Sequence, residues 1–306
     1  MKKWIVLTTL FFSMAIKCQE SPYKLKNDPD RPRTFIFPPL ISTILPGFDQ
    51  YVEGQTSYGF GYTGTALVGY GIQMGFSNYS DYDLDTQNDN ARMYQLGGEF
   101  TKIAGGLSAF HSFRTAVKSR KNDFLFLTAP EESPKDILLS PFNFSYLSRP
   151  TTYWGISGIL VLDVILGSLL YKDEGDSNNN NGWHFKGTDV LFAGALSAGA
   201  GISEESFFRG WMMPTTNYYV KTPWVSNLIT AVIFGAAHLG GGNSLPLPQA
   251  IAGYYFGWVA QRNGWGIGES VFIHTWVDVF AFLVGYATGP GENKDHTFYL
   301  PLTFSF

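Results

Sequence analysis

One cysteine, Cys18, stands in 306 residues. A single thiol cannot form an internal disulfide or build a Cys-rich metal site. It lies in an N-terminal export-type segment, which also argues against a thiol nucleophile. Charge is scarce too: Asp, Glu, Lys and Arg make up 15% of the chain and leave a formal net charge of -4. There is no basic surface to attract nucleic acid. The His-Glu-x-x-His helix of soluble zinc proteases is absent. In place of charge the chain has aromatic residues (17%) and 34 glycines. Mean hydropathy is only -0.02, because polar stretches at 19–33, 80–92, 118–136 and 172–182 dilute several apolar runs.

Met1–Cys18 reads as a secretory signal, with Lys2 and Lys3 as the basic start and Trp4–Ile16 as the apolar core. Cleavage after Cys18 would leave Gln19. An uncleaved anchor is one alternative; a lipid anchor on Cys18 is another, opposed by Lys17 where a small residue is needed. Residues 19–150 form an N-terminal, membrane-associated region. It begins polar and Pro-rich. Pro46-Gly47-Phe48-Asp49-Gln50 then resembles the Pro-Gly-x-x-Gln segment that opens small helical membrane modules in many bacterial proteins. Ser57–Phe76 has no charged residue and measures about 30 Å as a helix, enough to cross a hydrocarbon core. A Gly-rich hairpin is the alternative there. Gln95–Val117 fits a second helix, whose lone His111 reads as a satisfied histidine rather than a ligand. Residues 118–149 break at Pro130, Pro134 and Pro141 and are placed at or outside the membrane surface.

Residues 151–290 hold the apolar runs Tyr153–Tyr171, Gly187–Ile202, Trp224–Leu239, Leu247–Ala260 and Gly268–Thr288. The tail, 291–306, alternates at Phe298, Leu300, Leu302, Phe304 and Phe306, a strand-like period. An outer-membrane barrel needs alternating segments of about ten residues throughout, and the long uncharged runs lack them. The fold class that follows is all-α: a polytopic helical membrane protein with an intramembrane polar site, an N-terminal signal segment and a short strand-like tail.

Three polar islands interrupt the apolar runs. Ionisable groups at membrane depth are costly, and so mark function. The first is Glu204-Glu205-Ser206-Phe207-Phe208-Arg209. On a helix Arg209 stacks one turn beyond Glu205; the Arg can hold one carboxylate while the other acts as general base on water. A structural ion pair explains this island alone equally well. The second is His238, one turn beyond Phe234 among small residues. The third is His274-Thr275-Trp276-Val277-Asp278, with His and Asp one turn apart. Neutral imidazoles and a carboxylate suit a divalent metal, Zn²⁺ first, with Glu204, His238 and His274 as the ligand set and Asp278 able to orient the imidazole, bind metal or polarise a substrate carbonyl.

Together the islands resemble the three-motif signature of the CPBP family: CAAX prenyl protease 2 and the bacteriocin-processing, or Abi, enzymes. The resemblance covers about Gly187–Thr288. It implies a multi-helix intramembrane glutamate-dependent metalloprotease acting on a peptide or protein substrate, while the signal segment and the Gly- and aromatic-rich composition point to a bacterial inner membrane. Glu204 would activate water, Glu205 and Arg209 would support it, and His238 and His274 would bind metal or position water. Asp278 stands where many members carry Asn on the oxyanion side, a departure that puts a donor role at this position in question. Two other readings stay open. Gly155-Ile156-Ser157-Gly158 with His238 resembles a rhomboid-type serine protease dyad. An inert family descendant would instead scaffold or bind a peptide with the same cavity.

Overall fold

The computed structural model describes residues 34–82, 87–119, 127–170, 186–239 and 246–288. The signal segment, the loop at 172–182, the glycine turn at 240–242 and the strand-like tail lie outside them. Every regular element among the described residues is helical. In chain order these are α1 (Phe37–Ile44), α2 (Phe48–Val52), α3 (Thr56–Gly75), α4 (Asp89–Lys118), α5 (Pro134–Leu139), α6 (Pro150–Leu170), α7 (Gly187–Phe207), α8 (Met213–Val220), α9 (Pro223–Ala236), α10 (Leu247–Arg262) and α11 (Gly268–Thr288). Ser57–Phe76 is thus a helix and not a hairpin.

Local chemistry sets the helix starts. Asn88 caps α4 by accepting from the Asn90 and Ala91 amides. Ser133 and Asp136 form a capping box on α5. Proline opens the first turn of α5, α9 and α10, where its missing N–H has no intrahelical role. Gly47, at φ +94°, makes the corner between α1 and α2 that a side chain would resist. The polar residues at that corner are latched to α4. Ser108 Oγ accepts from the Gly47 amide at 2.9 Å and donates to Gln50 Oε1 at 2.7 Å, and Ser112 donates to Asp49 at 2.7 Å.

The bundle is organised around α7, which lies between α4 and α11. α4 runs parallel to α7: Arg92 pairs with Asp189 at 2.7 Å, Glu99 covers Gly199, and Gly106 meets Ser203. α11 runs antiparallel, with Phe282 near Leu196 in one cluster and Thr275 against Gly201. Tyr58, Ile103, Leu107 and Phe110 from the N-terminal region share a core cluster with Ile202, Met213 and Val271. The two halves of the chain are therefore packed as one. Residues 127–149 pack onto the bundle. Ile137 is buried in that same cluster, Trp276 donates to the Pro141 carbonyl at 3.1 Å, and the Glu132 carboxylate accepts from the Ile267 and Gly268 amides. An acceptor at the N-terminus of α11 satisfies orphan donors there, which draws this segment onto the bundle.

Among the described residues one helix, Gly268–Ala287, is both long and apolar enough to cross a membrane, with mean hydropathy 1.5. Pro150–Ile165 and Pro223–Ala236 are shorter apolar helices. The exterior is apolar nonetheless: Phe60, Leu67, Met74, Val161, Val164, Val190, Leu191, Val232 and Phe280 are exposed. Glu205, Arg209, His274 and Asp278 are buried.

Candidate active site

The site begins at the end of α7. Ile202, Ser203, Glu204 and Glu205 are all buried, because α4 and α11 close on this turn from either side. Glycine permits both approaches: a Cβ at Gly106 would strike the Ser203 backbone, and one at Gly201 would strike Thr275. Beyond Phe207 the helix widens into a π-helical stretch, Phe208–Met212. Pro214 follows. Its ring would crowd the carbonyl four residues back and it offers no amide, so the wider turn relieves a local conflict. Such turns recur at functional sites.

This stretch carries Arg209. Its guanidinium donates to Glu205 Oε1 at 2.8 Å and to the Gly253 carbonyl at 2.7 Å. It lies over the rings of Phe234 at 4.3 Å and Phe256 at 5.4 Å. Arg209 is 1% exposed and Glu205 0%. The ion pair is thus dry, and its value depends on these extra donors and rings. Gly253 is required here, since a Cβ would meet Phe234 and the guanidinium itself.

α11 brings His274 against the same carboxylate. His274 Nδ1 lies 3.0 Å from Glu205 Oε1. An ionised carboxylate only accepts, so Nδ1 carries the proton and Nε2 is the acceptor nitrogen; the bonding network assigns this tautomer. The imidazole stacks on Phe256 with centroids 4.8 Å apart. Nε2 faces Glu204 Oε2 at 3.7 Å and Asp278 Oδ2 at 3.5 Å. Neither oxygen of Glu204, neither oxygen of Asp278, nor Nε2 has a hydrogen-bond partner among the described residues.

His238 lies just past α9, which ends at Ala236 and not at Leu239. Its amide bonds to the Gly235 carbonyl in the closing turn. Nδ1 lies 2.7 Å from the Phe234 carbonyl, which makes Nδ1 the proton carrier. The ring is 4.6 Å from that of Phe234, which stands edge-on to His274 at 6.0 Å. His238 therefore joins the cluster through Phe234. Glu204, Glu205, Arg209, His274 and Asp278 meet directly.

The donor chemistry suits a metal: each histidine places Nδ1 on an acceptor, the arrangement that orients histidine in many metal centres. The spacing is not that of a closed cage, since among the described residues no group of three or more His, Cys, Asp or Glu side chains is set to hold an ion. Ser157 stands apart. It is exposed on α6, and its hydroxyl donates to the Tyr153 carbonyl of its own helix at 2.7 Å. Gly155 beside it is explained by packing, because the Tyr255 ring occupies the place of a side chain. The serine dyad has no support in this geometry. His111, read as structural, lies 3.1 Å from the Tyr62 hydroxyl, far from these residues in the chain, with the edge of Tyr58 against it.

Sequence reasoning missed three charged neighbours. Lys102 and Glu99 of α4 pair at 2.7 Å, and Lys102 acts electrostatically on Glu204 and Asp278. Asp163 of α6 is buried, its oxygens are without hydrogen bonds among the described residues, and it acts on Asp278. The signal for two of them was present, since Asp163 is the only charge in Tyr153–Tyr171 and Lys102 stands among small and apolar residues. The rule that singled out Glu204 applies to both.

Residues 186–280 match the family of type II CAAX prenyl endopeptidases, Rce1-like. The matched segment runs from the start of α7 into α11, as the resemblance to the CAAX protease family implied, and all six residues singled out from sequence fall inside it. No curated protein and no solved structure matches the chain.

Proposed function

We propose that this chain, with a CAAX-type endopeptidase segment in its C-terminal half, is an integral membrane protease that hydrolyses a peptide bond near or within the bilayer, with Glu204 as the base that activates water. One observation carries the reading. Adjacent carboxylates at the end of α7 have opposite fates: Glu205 is held by Arg209 and His274, whereas Glu204 has both oxygens unbonded among the described residues. A pinned carboxylate orients; an unbonded one beside it can take a proton. Membrane insertion follows from the apolar exterior around a buried charged centre, and from the cost of that exterior in water. The bacterial inner membrane is the compartment we assign, on the strength of the export-type segment and composition.

The steps use the chain's own groups. Glu204 accepts a proton from water as the water oxygen attacks the peptide carbonyl carbon. His274, fixed by Glu205 and Phe256, holds its Nε2 toward the same point and orients the water. The carbonyl oxygen becomes an oxyanion in a site largely closed to solvent, where nearby positive charge counts for more than in water. Collapse breaks the C–N bond, and Glu204 returns the proton to the departing amine. A divalent ion is part of the proposal: Glu204, His238 and His274 are the residues that would hold it. When bound it would polarise the carbonyl and acidify water.

The test compares full-length protein in liposomes with Glu204→Gln, Glu205→Gln and Ser157→Ala on a panel of membrane peptides, with and without a prenylated CAAX end. Loss of cleavage in Glu204→Gln alongside full cleavage in Ser157→Ala is the expected result. Cleavage that survives Glu204→Gln ends the proposal. Peptide binding with no cleavage by the unaltered protein would favour the inert scaffold.

A further inference from the structure

Lys102 reaches the site from outside the segment that matches the protease family. It lies on α4 one turn before Gly106, which is pressed against the backbone of Ser203, the residue preceding Glu204. On the other side of Lys102, the Glu99 side chain fills the space over Gly199 of α7. These contacts leave α4 no freedom to slide along α7. The Lys102 Nζ to Glu99 Oε1 pair, at 2.7 Å, is therefore held at the α4–α7 seam beside the catalytic turn. From there the ammonium acts on Glu204 and Asp278 as well as on Glu99.

Until a divalent ion binds, the chain itself must supply a cation at that place. Glu204 and Asp278 come from different helices, are 4% and 1% exposed, and approach the same nitrogen, His274 Nε2, at 3.7 and 3.5 Å. Their oxygens have no hydrogen bonds among the described residues to spread the charge. Asp163, Glu99 and Glu205 add negative potential at Asp278. Like charges this close in a weakly polarisable interior repel strongly. Arg209 is engaged with Glu205 and the Gly253 carbonyl. Lys102 keeps 22% side-chain exposure, so it is not sealed within the seam. An apolar residue of the same length therefore fits there without opening a sealed cavity.

We propose that Lys102, anchored by Glu99, is a positioning residue whose ammonium is the counter-charge that lets Glu204 and Asp278 be buried as neighbours and keeps Glu204 in place as the base. The effect on rate rests on Glu204 being the base; the charge coupling stands without it. An asparagine in place of Asp278 removes one of the two facing charges and with it most of the need for Lys102.

The experiment is a double-mutant cycle on the full-length protein in detergent: unaltered, Lys102→Met, Asp278→Asn and both together, with Lys102→Arg as the charge-keeping variant. Lys102→Met should lower Tm by about 4 °C or more, and by less than half as much in the Asp278→Asn background. Lys102→Arg should stay within about 2 °C of the unaltered protein. Equal losses in the two backgrounds overturn the proposal. If Lys102→Met yields no folded protein, recovery of folded protein in the double mutant supports the coupling and failure to recover it counts against it. On a cleaved peptide, Lys102→Met should lower kcat about 100-fold with KM little changed, and the factor should shrink to about 5-fold once Asp278 is Asn. A plain packing defect would cut both backgrounds alike. If the unaltered protein cleaves no peptide, the protease reading falls while the Tm cycle still decides the role of Lys102.

Discussion

Glu205 and His274 meet across the α7–α11 seam, with Nδ1 donating to Oε1 at 3.0 Å. The contact ties a carboxylate at the end of one helix to an imidazole in the first half of another. It sets the tautomer of that imidazole and turns Nε2 toward Glu204. Arg209 reinforces it from the π-helical turn at 2.8 Å.

Glu204→Gln and Glu205→Gln should therefore separate chemistry from stability. Glu204→Gln removes a buried carboxylate that has no hydrogen bond among the described residues, so Tm should hold or rise while kcat falls about a thousandfold or more. Glu205→Gln leaves Arg209 without its counter-ion, a change that costs about 3–5 kcal/mol when the pair is buried. Thermal unfolding and peptide cleavage on the same preparations check both. The reverse pattern would exchange the roles given to the two residues.

Arg209→Lys is the second prediction. Lysine keeps the charge but cannot reach Glu205 and the Gly253 carbonyl together, and it loses the planar contact with Phe234. We expect a loss of about 2 kcal/mol or more, read as a fall in Tm, with activity reduced in step.

Glycines on the α7 seams should differ from glycines elsewhere. Gly201→Ala places a methyl into Thr275, and Gly106→Ala places one into the Ser203 backbone. Each should cost about 1–3 kcal/mol and reduce cleavage, because both seams aim Glu204. At Gly61 on α3 a methyl group would meet no described atom within 4 Å, so Gly61→Ala should be neutral or stabilise by up to about 1 kcal/mol. Tm measurements on the three variants decide this.

The metal has its own test. If Glu204, His238 and His274 hold Zn²⁺, the purified protein should carry about one ion per chain, as three-ligand catalytic sites do. His274→Ala should lose it, and Glu205→Gln should weaken it about 10- to 100-fold through the lost hydrogen bond to Nδ1. Elemental analysis of the three proteins is the measurement. Metal-free protein that keeps full activity in a chelator would leave Glu204 to activate water unaided.

The islands were legible because charge in an apolar helix is rare and costly wherever it occurs. Glu204, Glu205, Arg209, His274 and Asp278 were therefore visible one by one, and their order made the family resemblance. Ser157 was legible as a motif and misleading as a site, since a Gly-x-Ser-Gly string does not report which side of a helix faces solvent. His238 was placed within a helix that in fact closes before it, a boundary set by the turn at Gly235 and not by any periodicity. The prolines of 127–149 show in the sequence where helices break; the segment's role as a cap on α11 depends on Glu132, a contact across more than a hundred residues.

What the sequence determined by itself is therefore the helical class, the lengths of the apolar runs and the identity of the groups able to do chemistry. These follow from local propensity, from apolar length and from the cost of burying charge, and none needs a distant partner. Tertiary structure alone decided the division of labour within the site. Whether Glu204 or Glu205 is the pinned carboxylate depends on where α11 presents His274, and that depends on Gly201 yielding to Thr275. The closeness of α4, the helix of Lys102, to the turn that carries Glu204 depends on Gly106 yielding to Ser203. Such contacts join residues far apart in the chain through close backbone approach, and no pattern along one helix encodes which neighbour will come to fill the gap.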